Sequence, residues 1–172
     1  MAYSAKAVAN AFLVAARQQN VPISNMKLQK LLFFAHGIYL ATQGAPLIAE
    51  HPEAWQYGPV YESVYHEFKS YGSAPIQSWA TDAAFTDNGL ITTPTPYPAD
   101  APVTQVVNSV LSTYGSEPAV TLSAISHVPG GPWERTRRES SGSMHAEIPD
   151  EYIEEYFRRT LNEAERRQGA VA

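Results

Sequence analysis

The chain has no cysteine among its 172 residues, which excludes a disulfide framework, a thiolate metal site and a cysteine nucleophile, and fits a reducing compartment. It is also short of cations: 12 Lys and Arg stand against 17 Asp and Glu, a formal charge of −5 with an isoelectric point near 5.5. Sequence-independent nucleic-acid binding needs the opposite balance, so nucleic acid is not the expected partner. No apolar run approaches the roughly 20 residues of a membrane span. The opening segment MAYSAKAVANAFLVAARQQ is interrupted by Asn10 and Arg17 and is expected to be neither a signal peptide nor an anchor, so a cytoplasmic protein is expected. No GxGxxG, GxxxxGK[ST] or GxSxG string occurs, so neither a phosphate-cradling loop nor a nucleophile elbow announces itself.

What is present is 44% hydrophobic residues over a length that suits one domain and not two. Ala7, Val8, Ala11, Phe12, Ala15 and Ala16 share one helical stripe over residues 4–19, with Lys6 and Asn10 off it. A second helix is capped by Ser24 and runs to Gly44. Beyond Lys30 it is apolar nearly all round, which predicts a central, buried helix. Residues 53–57 suit one short extended segment. Gly58-Pro59 reads as a helix start for VYESVYHEFKSY, with Gly72 as the stop. From Ser73 to Ala101 no period holds; a short strand near 75–78 is expected, and 86–101 reads as an irregular Pro-rich connector. Three helices follow, over Pro102–Tyr114, over Pro118–His127 and from Gly131-Pro132-Trp133. A last one runs from Pro149 to about Arg167 with acids first and arginines later, before a tail over 168–172. The expected fold is mainly α: a single compact helical domain with a central buried helix and at most small β elements near 53–57 and 75–78.

The five histidines, His36, His51, His66, His127 and His145, show no ligand spacing, so no metal and no cofactor is expected. His127 reads as a cap at a helix end. A hydrolase with a site built on His36, His66, His127 and nearby carboxylates is the enzymatic alternative, since such sites assemble from distant positions. It requires two of these rings and an acid to converge in a cleft. The aromatic series Trp55, Tyr57, Tyr61, Tyr65, Phe68 and Tyr71 is core by default, with some members half exposed, where Tyr and Trp serve protein interfaces. Lys27 and Lys30 sit in the first turn of a helix against its dipole. An acid should compensate: Glu53, Glu62, or a partner's acidic surface.

Taken in order, KLQKLLFFAHGIYLATQGAPL, EAWQYGPVYESVYHEFKSYG, LSAISHVPGGPWERTR and IPDEYIEEYFRR resemble the Panacea domain family, a GepA-like, phage-associated group that includes SocA-like antitoxins. The likeness spans about 4–160. It implies a mostly helical, non-enzymatic antitoxin that neutralises a cognate protein toxin, encoded next door, by binding it directly. A relative similar to a protease adaptor suggests the alternative of delivering the toxin to a protease; a homo-oligomer stays open. The motif positions carried over as scaffold are Leu28, Leu31, Gly58, Pro59, Tyr65 and Phe68, together with Tyr71, Gly72, His127, Pro132 and Trp133. Lys27, Lys30, Trp55 and Tyr57 are the expected exposed, partner-binding residues.

Overall fold

The computed structural model describes residues 1–143 and 145–169, and over these the architecture is mainly α. Helix α1 (Ala5–Gln18) is capped by Ser4, whose hydroxyl accepts from the Ala7 amide. Helix α2 (Asn25–Gln43) is capped by Ser24 in the same way and ends at Gly44 in the left-handed region. A short antiparallel hairpin follows, β1 (Glu53–Trp55) and β2 (Gly58–Val60), then α3 (Glu62–Phe68) and a 3-10 turn over Lys69–Tyr71. A second hairpin, β3 (Thr81–Thr86) with β4 (Gly89–Pro94), precedes α4 (Ala101–Tyr114), α5 (Ala119–Ser126), α6 (Pro132–Glu139) and α7 (Asp150–Gly169). Asp100 caps α4, and α6 opens with Gly131 as cap and Pro132 at its first position, as the sequence predicts.

Thirteen residues of α2 are buried, and it touches α1, α3, α4, α5, α7 and β2. Its Leu28, Leu31, Leu32 and Phe33 meet Val8 and Phe12 of α1, Val103 and Val107 of α4, and Ile153 and Phe157 of α7 in one apolar cluster. The close approach of α7 depends on Gly37: a Cβ there would lie 2.2 Å from the Phe157 ring. A glycine that weakens an isolated helix is thus the seat for an aromatic ring of its neighbour.

Several expectations are corrected. Gly58-Pro59 does not start a helix: Trp55 pairs with Gly58 and Ala54 with Pro59 in the first hairpin, and α3 begins only at Glu62. The φ of a proline suits an edge strand as well as a first helical turn, and Gly58 at φ +104 leaves the helical region altogether. No strand forms at 75–78; Ile76 fills the core and donates one backbone hydrogen bond to Ile23 O at 2.8 Å. Strands lie instead at 81–86 and 89–94, inside the stretch read as irregular. They turn on Asp87-Asn88 with Gly89 at φ +105, a hairpin signal hidden because no alternation of apolar residues surrounds it. Asn10 is not on an outer face but 1% exposed. Residues 168 and 169 still belong to α7, while 170–172 lie outside the described residues.

Candidate functional site

The first two turns of α2 carry four polar side chains that are all buried: Asn25, Lys27, Gln29 and Lys30. Each serves a backbone group elsewhere in the chain. Asn25 Nδ2 donates to Tyr65 O (3.1 Å), Lys27 Nζ to Gly115 O (2.6 Å) and Lys30 Nζ to Pro59 O (3.0 Å), while Gln29 Oε1 accepts from the Tyr61 amide (2.8 Å). Gln29 Nε2 also donates to Asn25 Oδ1 at 3.2 Å. Asn25, Gln29 and Lys30 stitch β2 and α3 to α2, and Lys27 does the same for the end of α4.

The turn that joins β1 to β2, residues 55–58, is held from its other side by α5 and α6. Trp133 Nε1 donates to Trp55 O (2.7 Å), Ser123 Oγ to Tyr57 O (2.9 Å) and Arg137 Nη1 to Ala54 O (3.3 Å), and His127 Nε2 stands 3.3 Å from Gln56 O. With Lys30 on Pro59 O, the carbonyls of 54, 55, 57 and 59 each accept from a side chain of a distant element. Gly58 completes the clamp, because a Cβ would lie 2.6 Å from Ser126 Oγ and 2.8 Å from Lys30 Nζ, and its φ is one that L residues rarely adopt. His127, stacked edge-on against Trp133 and bonded through Nδ1 to Ser123 O, is the helix-end residue the sequence predicts.

So braced, the turn holds Tyr57 out, 62% exposed, at the mouth of a cavity of about 420 Å³. Lys30, Trp55, Tyr57 and Tyr65 line it, with Met26 and Lys69. Trp55 is fixed edge-on to Tyr65 at 4.8 Å and donates through Nε1 to Glu53 Oε2 at 2.6 Å. Tyr65 is therefore half-buried at the cavity rather than core, whereas Tyr61 and Phe68 are core and Tyr71 lies beside Phe68. Gly72 ends the 3-10 turn at φ +56.

Two of the residues expected to be exposed are not: Lys27 is 8% and Lys30 1% exposed. Neither meets the expected carboxylate, since Glu53 pairs with Trp55 and His145, and Glu62 with His66. Backbone carbonyls replace it. Lys27 reaches the carbonyl end of α4, where the helix dipole is negative. Burial lowers its pKa, opposed by Glu117. Burial alone lowers that of Lys30 to about 7.

The histidines that the enzymatic alternative requires to converge stand on different elements. His66 faces Glu62 on the surface of α3, His127 caps α5, and His36 is fully buried in α2. The Ile48 amide donates to His36 Nδ1 (3.2 Å), so Nε2 carries the hydrogen that faces Asp150 Oδ1 at 3.0 Å. His51 shares that carboxylate at 3.2 Å. Burial raises the Asp150 pKa, but His36 and then His51 outweigh it and hold it below the ordinary value. This group ties α7 to α2, and no metal-holding cluster occurs among the described residues. Ser123 escaped the sequence reading; its i, i+4 spacing to His127 on an otherwise apolar helix was the available signal.

Comparisons with known proteins give the chain a family. Residues 28–134 match a family model described as Antitoxin SocA-like, Panacea domain. The protein "Antitoxin SocA" of Caulobacter vibrioides (strain NA1000 / CB15N) is 42% identical over 130 residues, 76% of this chain and 68% of that protein. No solved structure matches.

Proposed function

Because the chain belongs to the SocA-like Panacea antitoxin family, we propose that it neutralises a cognate protein toxin, encoded next door, by binding it directly in the cytoplasm without catalysis. In this reading it is one compact domain built around α2, and the toxin docks on the face formed by the 55–58 turn. The supporting observation is the clamp: the carbonyls of 54, 55, 57 and 59, held by side chains from α2, α5 and α6, keep Trp55 and Tyr57 pre-set at the cavity mouth. Such rigidity lowers the entropy lost on association, and exposed Tyr beside half-buried Trp is what interface centres use. Lys27, by contrast, acts as scaffold for α4, and the motif residues Leu28, Leu31, Phe68 and Pro132 shape the body.

The test is co-expression with the product of the adjacent reading frame. The wild-type chain is expected to restore growth and to co-purify with that product, and Tyr57→Asp to weaken both while leaving the fold intact. If growth is not restored and no complex is recovered, the reading fails. A toxin whose cellular level rises when this chain is removed marks delivery to a protease instead of occlusion.

A further inference from the structure

Resting on that reading, we infer that the cavity beside the 55–58 turn receives a carboxylate carried on an extended segment of the toxin, with Lys30 as its counter-ion and Trp55, Tyr57 and Tyr65 against the flanking apolar side chain. Charge complementarity points to the occupant. The chain carries −5 overall, yet among the described residues the charged ones lining this cavity are two cations, Lys30 and Lys69.

Lys30 has three N–H donors, and the hydrogen bond it makes goes to the neutral carbonyl of Pro59. No acid of the chain lifts its depressed pKa, burial being the sole cause of the shift. A buried ammonium without a counter-ion is an expensive feature, and a carboxylate brought to it by a partner forms a desolvated, charge-assisted bond that the isolated chain does not supply. The turn closes on this ammonium through a glycine: a Cβ at Gly58 would lie 2.8 Å from Nζ, and the backbone there is at φ +104.

The cavity is within the size range of specific small-ligand sites. Its mouth, however, runs onto Tyr57 and Met26, both exposed, apolar surface that a small free anion would leave uncovered and a polypeptide would bury. A toxin segment with an Asp or Glu next to an aromatic or large aliphatic residue satisfies both parts.

The experiment uses the full chain and the adjacent-frame product with which the complex of the preceding section is made. Affinities are measured by titration for the wild type, for Lys30→Met and for Tyr57→Ala. The toxin's Asp and Glu residues are changed singly to Asn and Gln. Lys30→Met is expected to weaken binding at least tenfold with helical content retained, since it removes a buried charge. One toxin carboxylate is expected to give the same loss, and the two changes combined no further loss. A complex that keeps its affinity in folded Lys30→Met overturns this inference alone, whereas no complex with the wild type overturns the reading beneath it as well. If Lys30→Met does not fold, the carboxylate scan against the wild type decides, and a scan without a tenfold loss at any position is fatal. Photocrosslinking from position 57 that maps to a second copy of this chain, or displacement of the toxin by free glutamate at low millimolar concentration, also overturns it.

Discussion

The hairpin β1–β2 has three residues in each strand, all buried or half-buried, whereas β3–β4 has six in each and is exposed on both faces beyond Thr81. The longer one has more ladder hydrogen bonds and an apolar tip, with Phe85 87% exposed. The shorter one has scarcely any ladder, but side chains from three helices hold it. Strand pairing alone leaves a two-stranded hairpin marginal in water; what distinguishes the two is tertiary anchoring. The long hairpin is anchored only at its root, where Asn10 Nδ2 donates to Ala80 O (3.0 Å) and Thr95 O (2.8 Å) and its Oδ1 accepts from the Ala80 amide (2.8 Å). Glu67, which accepts from Thr81, and Lys6, paired with Glu67 at 2.7 Å, brace the same point.

The largest way to break this contrast is Gly58→Ala. It forces an L residue to φ +104 and drives a Cβ toward Ser126 and Lys30, with an expected loss of about 3 kcal/mol. A lower urea midpoint at unchanged slope would report it; an unshifted midpoint refutes the clamp. Next is Asn10→Ala, which strands the buried partners at the root of the long hairpin and is expected to lose about 2 kcal/mol. Amide exchange should quicken over residues 80–95 while the 54–59 turn stays protected, and equal quickening in both regions would show that the two hairpins are not separate units.

A third test uses pH. Below about 7 the Lys30 proton is held in both the folded and the unfolded chain, so the penalty of burying the charge is present in full. Between 7 and the ordinary value of 10.5, the unfolded chain retains the proton and the folded chain sheds it. Stability therefore rises with pH across that window, by up to about 1.4 kcal/mol per unit. The wild type should gain stability relative to Lys30→Met from pH 6 to pH 9, and a difference that does not change with pH contradicts the burial of this charge. The smallest effect is Phe85→Ser at the tip of the long hairpin, under about 0.5 kcal/mol in the thermal midpoint; a larger loss would mean that the tip packs against something.

The helix starts at Ser4, Ser24 and Gly131-Pro132 were legible because a cap is a local event, decided by a side chain and an amide two or three residues on. The stop at Gly44 was legible for the same reason. Gly58-Pro59 was misread because its conformation is set by Gln29 and Lys30, roughly a turn and a half into a helix some thirty residues earlier. The lysines were misread for a related reason: a cation in a first helical turn calls for compensation, and the sequence suggests an acid, but a carbonyl is a partner that every residue carries. Asn10 looked like an interruption of an apolar stripe, because nothing near it in the chain reveals that residues 80 and 95 come to lie beside it.

The sequence by itself determined where most helices begin and end, the aromatic character of residues 55–71, and the membership of a family through motifs spread from 28 to 134. Only the tertiary structure decided that Lys30, Ser123, His127, Trp133 and Arg137 meet on one turn. Caps and periodic stripes are read from neighbours in the chain, whereas a carbonyl acceptor has no side chain of its own to mark it, so its partners become known only when distant helices are brought together.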